Sequence, residues 1–408
     1  MKRVAFLLVP ALICADDLKS LLDFATKNSD LVVAKTLTKD AKSKELDAQK
    51  SAYYPTLDVG AFYQRLDERS PYMPGDTYAG YAKVGVDIYD GGRKSSLVDQ
   101  KQNELKSSSF DTEATKKSLS LQIVQDFYTI KNLQASLQAK TEADKSLQAQ
   151  LYRMTQFYIA KVATKDDVDR LQAAYDTNVY DMEAVKLQIL SAKKLLELKV
   201  GKSIDSLDDS SFKELRDESY ELIDATKALI AQKDSIKYSA ESLESVYYPV
   251  LRVEDSYSVY GYDRTDIQHP EGAKDQNKLM VTLNMRIFDN GSMQKSKEAI
   301  LANAQSLNTQ INYLTKEQKA NFAIARASLE TSKAEITSAA SALEAAKSAF
   351  KTIEEKYNAG IADNVTYLDA LASLTGAKAL YTKALNDEQV AYATYYFYSG
   401  KNIEEFLK

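Results

Sequence analysis

Two long segments of the chain contain neither proline nor glycine, namely residues 93–157 and 292–358. Because these residue types are the main breakers of helices, both segments predict uninterrupted α-helices. In the first segment, apolar residues recur every three or four positions, as on one buried face of a helix: Leu119, Ile123, Phe127, Ile130, Leu133 and Leu137. At about 1.5 Å per residue such a helix is roughly 95 Å long, more than a compact globular domain can hold.

The chain also repeats itself at an interval of about two hundred residues. Three short motifs occur twice and in the same order: residues 52–57 match 246–251, residues 86–92 match 285–291, and residues 157–162 match 356–361. Chance supplies one such pair more readily than an ordered set. We therefore predict two structural repeats, residues 16–205 and 206–408, each with a helix, two strands and a long helix pair.

Four segments alternate apolar and polar residues with the period of a β-strand. They lie at about residues 53–65, 79–90, 248–262 and 278–289. Strands of about ten residues with one apolar and one charged face are typical of transmembrane barrels, although a half-buried soluble sheet alternates in the same way. Tyrosine pairs precede the first strand of each half, where we expect membrane-interface anchors: Tyr53, Tyr54, Tyr247 and Tyr248.

The first fifteen residues have the pattern of a secretory signal peptide. Lys2 and Arg3 form a basic start, an apolar run follows, and Ala15 precedes acidic residues. We predict cleavage after Ala15, with lipidation of Cys14 as the weaker alternative. Removing the two basic residues changes the formal net charge from −5 to −7, which argues against a nucleic acid partner. The signal peptide favours a membrane location for the strands.

Residues suited to catalysis are scarce. Cys14 is the only cysteine and His269 the only histidine, so neither a His/Cys metal site nor a cysteine nucleophile paired with histidine is available after cleavage. We predict no enzymatic activity and no cofactor. Charged residues make up 27% of the chain and hydrophobic residues 44%, a balance that excludes a disordered chain and a helical membrane protein.

Four strands cannot close a barrel, and an open sheet edge cannot lie in lipid. If the strands span a membrane, the chain must associate with copies of itself. Two copies give eight strands and three give twelve, and the residue pattern does not choose between them. The remaining alternative is a structural periplasmic coiled-coil protein with a small soluble β-sheet.

The layout resembles the TolC family of outer-membrane efflux proteins. The resemblance rests on Tyr-Tyr-Pro before each first strand, on Asp-Gly-Gly or Asp-Asn-Gly after each second strand, and on residues 357–361 followed by 368–370. It implies an α+β membrane protein that forms a homotrimer, with a shared 12-stranded β-barrel in the outer membrane and a long antiparallel α-helical barrel in the periplasm. It also implies a periplasmic adaptor and an inner-membrane pump or secretion ATPase as partners. The cargo, and the choice between efflux and type I secretion, stay open.

The resemblance further implies a periplasmic gate lined by acidic residues. Asp369 keeps the family's acidic position, Thr366 stands where a second acidic residue is expected, and Ala362 replaces a basic residue. We therefore expect a differently connected gate, with these candidates: Asp369, Thr366, Asp363, Tyr357, Asp166 and Asp167. Three-fold symmetry would make Asp369 a carboxylate ring that attracts cations. The candidates for adaptor docking are Ala160, Lys161, Val162, Gly360 and Ile361.

Overall fold

The computed structural model describes residues 17–68, 75–214, 219–263 and 273–408. The predicted signal peptide with Cys14, and His269, lie outside the described residues. The helices are α1 Leu18–Asn28, α2 Asp30–Ser51, α3 Arg93–Ile159, α4 Lys165–Val200, α5 Asp224–Glu244, α6 Ser292–Asn358 and α7 Asn364–Tyr398. The strands are β1 Thr56–Arg65, β2 Asp76–Tyr89, β3 Val250–Asp263 and β4 Asp275–Asn284.

The order of elements is the same in both halves of the chain. A helix (α2 or α5) leads to two strands, a long helix follows, and a short turn leads to a returning helix. The long helices α3 and α6 have 67 residues each, so both helices predicted from the missing breakers are confirmed. Among the described residues, no helix is both long enough and apolar enough to cross a membrane.

The strands differ from their predicted ranges at the ends. β1 begins at Thr56 rather than at residue 53, because a turn occupies residues 52–54 and Pro55 has no N–H to donate. β4 ends at Asn284 rather than at residue 289, because Asn284 pairs with the first residue of β3 and the ladder stops there. Residues 285–289, predicted to continue this strand, have no strand pairing within this chain.

The chain divides into two compact units, and each draws on both halves of the sequence. The helical unit takes the described residues of Met1–Lys35, Thr112–Asp224 and Thr315–Lys408. The sheet unit takes those of Thr36–Asp111 and Ala225–Leu314. The units thus do not coincide with the predicted repeats 16–205 and 206–408.

The core of the helical unit forms around α1. Its apolar residues follow helical spacing and all four are fully buried: Leu18, Leu21, Leu22 and Ala25. They belong to one cluster with Ile123 and Phe127 of α3 and Tyr396 of α7. Asp17 caps α1 by accepting a 2.9 Å hydrogen bond from the Ser20 amide.

Gln318 connects α6 to two other segments of the helical unit. Its side chain is 2% exposed. Its Oε1 accepts a hydrogen bond from the Ile223 amide at 3.2 Å, and its Nε2 donates to the carbonyls of Glu221 at 2.8 Å and Tyr398 at 3.0 Å. A buried amide with all of these contacts holds the segment before α5 and the end of α7 in place.

Replacing Gln318 with methionine is expected to lower the free energy of unfolding by about 3 kcal/mol, because three buried hydrogen bonds of about 1 kcal/mol each are lost at similar volume. The midpoint of urea unfolding of the purified protein measures this. Gln305→Met on the exposed face of the same helix is the matched control. Equal midpoints for the two variants would contradict the role given to Gln318.

Candidate functional site

The sheet unit contains one antiparallel sheet in the order β1-β2-β3-β4. The central pairing joins β2 of the first half to β3 of the second, from Asp76 opposite Asp263 to Tyr89 opposite Leu251. The two hairpins of the duplicated chain thus form one continuous surface. Within this chain, β1 pairs with β2 and β4 pairs with β3, so each outer strand has one paired side.

One face of this sheet is apolar and exposed. The registers place the following side chains together on it: Leu57, Val59, Ala61, Tyr63, Tyr78, Ala82, Val84, Val86, Leu251, Val253, Tyr257, Val259, Leu279, Val281 and Leu283. Val59 is 78% exposed, Leu279 71% and Leu283 67%. Polar exceptions among these registers include Asp255, opposite Val84 and Leu279, and, near one end of β4, Asn277 and Asp275. An exposed apolar surface of this extent marks contact with lipid or with another protein.

Tyrosines lie at both ends of the apolar face. A bulge places Tyr89 opposite Leu251 at one end. At the other end Tyr78 packs against Tyr63, with ring centroids 5.2 Å apart and the rings tilted by 31°. Tyr89 follows Tyr78 by eleven positions, which is about 36 Å along a strand and about 28 Å across a membrane at a tilt near 40°. This matches the apolar band of about 25 Å between the aromatic girdles of outer-membrane barrels.

The opposite face carries charged groups in a connected line. Lys94 lies 3.5 Å from Asp87, Asp87 lies 2.9 Å from Arg252, and Arg252 lies 3.6 Å from Glu254. Glu254 in turn lies 3.3 Å from Lys83. We call this side of the sheet the polar face. Three cations and two carboxylates alternate along the line, which joins the two hairpins at the β2–β3 seam.

The predicted anchor tyrosines lie beside the ends of the strands. Tyr53, Tyr54 and Tyr248 are exposed, and Tyr54 is the most exposed of them at 73%. Tyr247 has a structural contact, because its hydroxyl donates a 2.9 Å hydrogen bond to Asp289. Their role at a membrane interface stays a prediction.

Aspartates form the two transitions from strand to long helix. Asp90 accepts a 2.9 Å hydrogen bond from the Lys94 amide at the start of α3. Asp289 accepts a 3.0 Å bond from the Met293 amide at the start of α6. Each carboxylate satisfies an amide that the helix leaves free. The duplicated Asp-Gly-Gly and Asp-Asn-Gly motifs are therefore helix starts.

Two turns end the long helices of the helical unit in the same way. Residue Lys161 follows α3 at φ 59° and Gly360 follows α6 at φ 75°. The next residues, Val162 and Ile361, donate 2.8 Å hydrogen bonds back to the helix carbonyls of Phe157 and Lys356, as in a Schellman motif. Val162 and Ile361 are each 77% exposed. The adaptor-docking candidates, Ala160 included, thus lie on two matching turns.

The caps of the returning helices use the same pair of residue types in opposite order. Thr164 caps α4 and donates a 2.7 Å hydrogen bond to Asp167. Asp363 caps α7 and accepts a 2.8 Å bond from the Thr366 amide. Hydrogen bonds from the side chain and then the amide of Thr164 lower the pKa of Asp167, and those of Thr366 lower the pKa of Asp363. Both carboxylates therefore stay ionised at neutral pH and serve first as helix caps.

A hydrogen-bonded chain connects the two turns. The Tyr357 hydroxyl donates to the side-chain oxygen of Asn364, and the Asn364 amide nitrogen donates to the Asp167 carbonyl at 3.3 Å. Tyr357 is buried and stacks on Tyr367 with centroids 4.7 Å apart. Burial raises the pKa of Tyr357 to about 12, so it remains a donor. We call Tyr357, Asn364 and Asp167 the turn latch.

Arg153 of α3 supports the latch from outside. Its guanidinium lies over the Tyr357 ring, 5.7 Å from the centroid, and donates a 3.1 Å hydrogen bond to the Asn358 carbonyl. Sequence analysis missed Arg153 and Asn364. Neither belongs to a motif, and the burial of Asn364 depends on contacts between helices far apart in sequence.

The remaining gate candidates lie elsewhere. Asp166 pairs at 2.9 Å with Arg170 on its own helix, and both side chains are exposed. Asp369 is exposed and lines a groove of about 620 Å³ between α3, α4 and α7. A cation-attracting role for Asp369 stays a prediction. Within the described ranges, no group of His, Cys, Asp or Glu residues is placed to hold a metal ion.

Known proteins provide three comparisons. A family model described as outer membrane efflux protein matches residues 21–202 and 224–401, one segment in each half. The structure is similar to the outer membrane protein VceC from Vibrio cholerae, with a TM-score of 0.81 and 15% identity over 95% of this chain and 96% of that chain. A search of curated proteins found no match.

Two further solved structures have the same fold. The Campylobacter jejuni CmeC outer membrane channel superimposes with a TM-score of 0.83 and 14% identity, over 95% of this chain and 86% of that chain. The open state of the Neisseria gonorrhoeae MtrE outer membrane channel gives a TM-score of 0.76 and 14% identity, over 95% and 89% of the two chains. At such low identity the likeness establishes the fold alone.

Proposed function

This chain belongs to the outer membrane efflux protein family, and on that premise we propose that it is the passive channel subunit of a tripartite efflux system. The match confirms the predicted resemblance and identifies an outer-membrane efflux channel. In the proposed assembly, three copies share a 12-stranded barrel in the outer membrane and an α-helical barrel in the periplasm. A periplasmic adaptor and an inner-membrane pump deliver small molecules to it.

The observation that carries this proposal is the sheet with its apolar face outward. In a soluble protein the apolar face of a sheet packs on a core and the charged face meets water. Here Val59 and Leu279 are exposed while the charged Glu254 and Asp87 are mostly covered. Lipid outside and water inside a barrel suit this arrangement.

Closure of the barrel requires further copies. Four strands from one chain leave β1 and β4 as outer strands, and an unpaired edge is not tolerated in hydrocarbon. Three copies give twelve strands and a lumen wide enough for solutes, whereas eight strands leave room for little beyond their own side chains. A homotrimer is therefore the assembly that we propose.

Val281 and Thr282 provide a direct test, because they are neighbours in β4 on opposite faces. We expect that the Val281→Lys variant no longer forms a stable oligomer in the outer-membrane fraction. A lysine in the middle of the lipid face costs about 2–4 kcal/mol per subunit. Thr282→Lys, in the lumen, is expected to assemble normally. Membrane fractionation followed by electrophoresis with and without heating measures both.

The alternative, a periplasmic coiled-coil protein with a soluble sheet, predicts a different result. Both residues would then be at a water-exposed surface, and Val281→Lys would be tolerated as well as Thr282→Lys. Normal assembly of both variants, or a soluble wild-type protein, would refute the channel.

The cargo of the channel can be identified from the sensitivity of cells in which the gene is deleted and then restored. We propose that the deletion strain becomes more sensitive to drugs, metals or detergents and recovers on complementation. Loss of a secreted protein with unchanged sensitivity would instead indicate type I secretion, in which a secretion ATPase replaces the pump.

We further propose that the turn latch holds the periplasmic end closed. It joins the α3–α4 hairpin to the α6–α7 hairpin through Asn364 and Asp167, so separating the hairpins requires breaking it. Arg153 takes the place of the basic residue that Ala362 replaces, because it holds the same turn from α3. The exposed turn residues Val162 and Ile361 are then the surface offered to the adaptor.

A further inference from the structure

Aromatic side chains occupy one part of the polar face of the sheet. Phe62 lies opposite Ala79, and Ala79 lies opposite Tyr260 on the next strand. Tyr81 and Tyr262 lie on the same face, opposite Ser258 and Thr77 respectively. We call Phe62, Tyr81, Tyr260 and Tyr262 the aromatic ledge. The rest of this face carries charges and hydroxyls, so four rings there are unexpected for a water-filled lumen.

Small residues beneath the ledge let the rings lie against the sheet. A Cβ atom on Gly60 would be 2.5 Å from the Tyr81 hydroxyl oxygen and 2.6 Å from its Cζ, so this ring covers Gly60. Ala79, between Phe62 and Tyr260, is only 4% exposed. The rings of Tyr260 and Tyr262 are stacked, with centroids 6.2 Å apart and planes within 5°. The ledge is therefore an ordered surface.

Stabilisation of the sheet does not explain all four rings of the aromatic ledge. Covering Gly60 explains Tyr81, as aromatic residues often shield glycine in strands. Phe62, by contrast, is 45% exposed and has no polar group to offer water. Exposed rings in water bind other flat apolar surfaces, and their faces attract cations.

The charged residues of the polar face do not select solutes by the sign of their charge. Lys83 is paired with Glu254, and Arg252 with Asp87. Each of these ion pairs is neutral, and Asp58 and Lys278 on the same face carry opposite charges. No single sign of charge therefore dominates the described strands of this face. Recognition by stacking is then the specific chemistry that the polar face offers to a passing solute.

We propose that the aromatic ledge is a binding site for planar aromatic cations among the cargo of the channel. The proposal rests on the channel function proposed above, because the polar face must line the lumen. Three copies would place twelve rings around the passage. Weak stacking on such a surface would hold a flat solute briefly without stopping its passage.

Ethidium, a planar aromatic cation, is the probe for this site. Titration of the purified, detergent-solubilised oligomer, followed by ethidium fluorescence, is expected to give saturable binding. The double variant Phe62→Leu/Tyr260→Leu is expected to weaken the Kd about tenfold, the loss of one to two cation–π contacts. Tetrapropylammonium makes cation–π contacts but has no ring to stack, so it is expected to displace ethidium only at much higher concentration.

Tyr257→Leu is the matched control, because Tyr257 is on the same strand as Tyr260 but on the apolar face. It is expected to bind ethidium like the wild type. The proposal is overturned if wild-type binding is absent, if tetrapropylammonium competes equally, or if the double variant binds like the control. The first two results are measured on the wild-type protein, so the proposal can be overturned even if a variant misfolds. A different measurement tests the proposed channel function: if that function is wrong, the wild-type protein forms no oligomer in the outer-membrane fraction.

Discussion

Replacing Asn364 with alanine is expected to open the channel and to raise its ion conductance in planar bilayers at least tenfold. Asn364 accepts a hydrogen bond from the Tyr357 hydroxyl and donates one to Asp167. The substitution therefore removes the bond between the two hairpins at their turns, while contacts of α3 with α6 and α7 elsewhere remain. Of these two bonds, only the one from Asn364 to Asp167 crosses between the hairpins. At about 1 kcal/mol in each of the three subunits of the proposed trimer, its loss adds up to about 3 kcal/mol against the closed state. Because every 1.4 kcal/mol is a factor of ten in an equilibrium constant, this shifts the opening equilibrium by about a hundredfold.

Two other variants make this experiment specific. Tyr357→Phe keeps the ring stack with Tyr367 but loses the hydroxyl, so an intermediate conductance is expected. Asp166→Asn removes an exposed carboxylate that pairs only with Arg170 in its own helix, and its conductance is expected to stay at the wild-type level. A folded Asn364→Ala trimer that conducts like the wild type would show that the turn latch does not hold the gate.

Replacing Gly91 with alanine is expected to prevent assembly of a stable oligomer. Gly91 has φ +69°, and a Cβ atom there would be 2.6 Å from the Tyr248 Cβ and 2.8 Å from the Ser245 carbonyl oxygen. Left-handed backbone costs a residue with a side chain about 1–2 kcal/mol, and overpacking adds about 1–3 kcal/mol. The clash involves backbone, so it cannot be relieved by turning a side chain.

Gly92 is the matched control for this substitution. It follows directly, has φ +86°, and an added Cβ would have nothing within 4 Å. Gly92→Ala is therefore expected to lose only the backbone contribution of about 1–2 kcal/mol and still to assemble. Heat-stability of the oligomer on electrophoresis distinguishes the two. Equal stability of both variants would mean that the close approach of Tyr248 is not required.

The long helices could be predicted from the sequence nearly to their ends. α6 begins and ends at the predicted residues, and α3 extends only two residues past residue 157. Missing breakers and a 3.6-residue apolar period are local properties of the chain. The strand ends were less accurate, because a strand ends where its partner ends: β4 stops at Asn284 since β3 starts at Val250.

The contacts between the two turns were predicted only in part, and the role of these residues in a gate stays a prediction. The motif that contains Tyr357 indicated one turn, and Asp167 was named as a candidate on the other. Their connection through Asn364 could not be predicted, because Asn364 and Asp167 are 197 positions apart. Asp363 and Thr366 were named as gate residues and were found in a helix cap, a role that local capping rules could have predicted.

The sequence by itself determined the elements of this protein: two long helices without breakers, four alternating strands and an ordered set of repeated motifs. These follow from propensity and periodicity, which act over a few neighbouring residues. Only the tertiary structure decided that β2 pairs with β3, that the apolar face of the sheet is exposed and that Asn364 joins the two turns. The alternation of apolar and polar residues shows that a strand has two different faces. Which face is covered depends on segments brought together from distant parts of the chain.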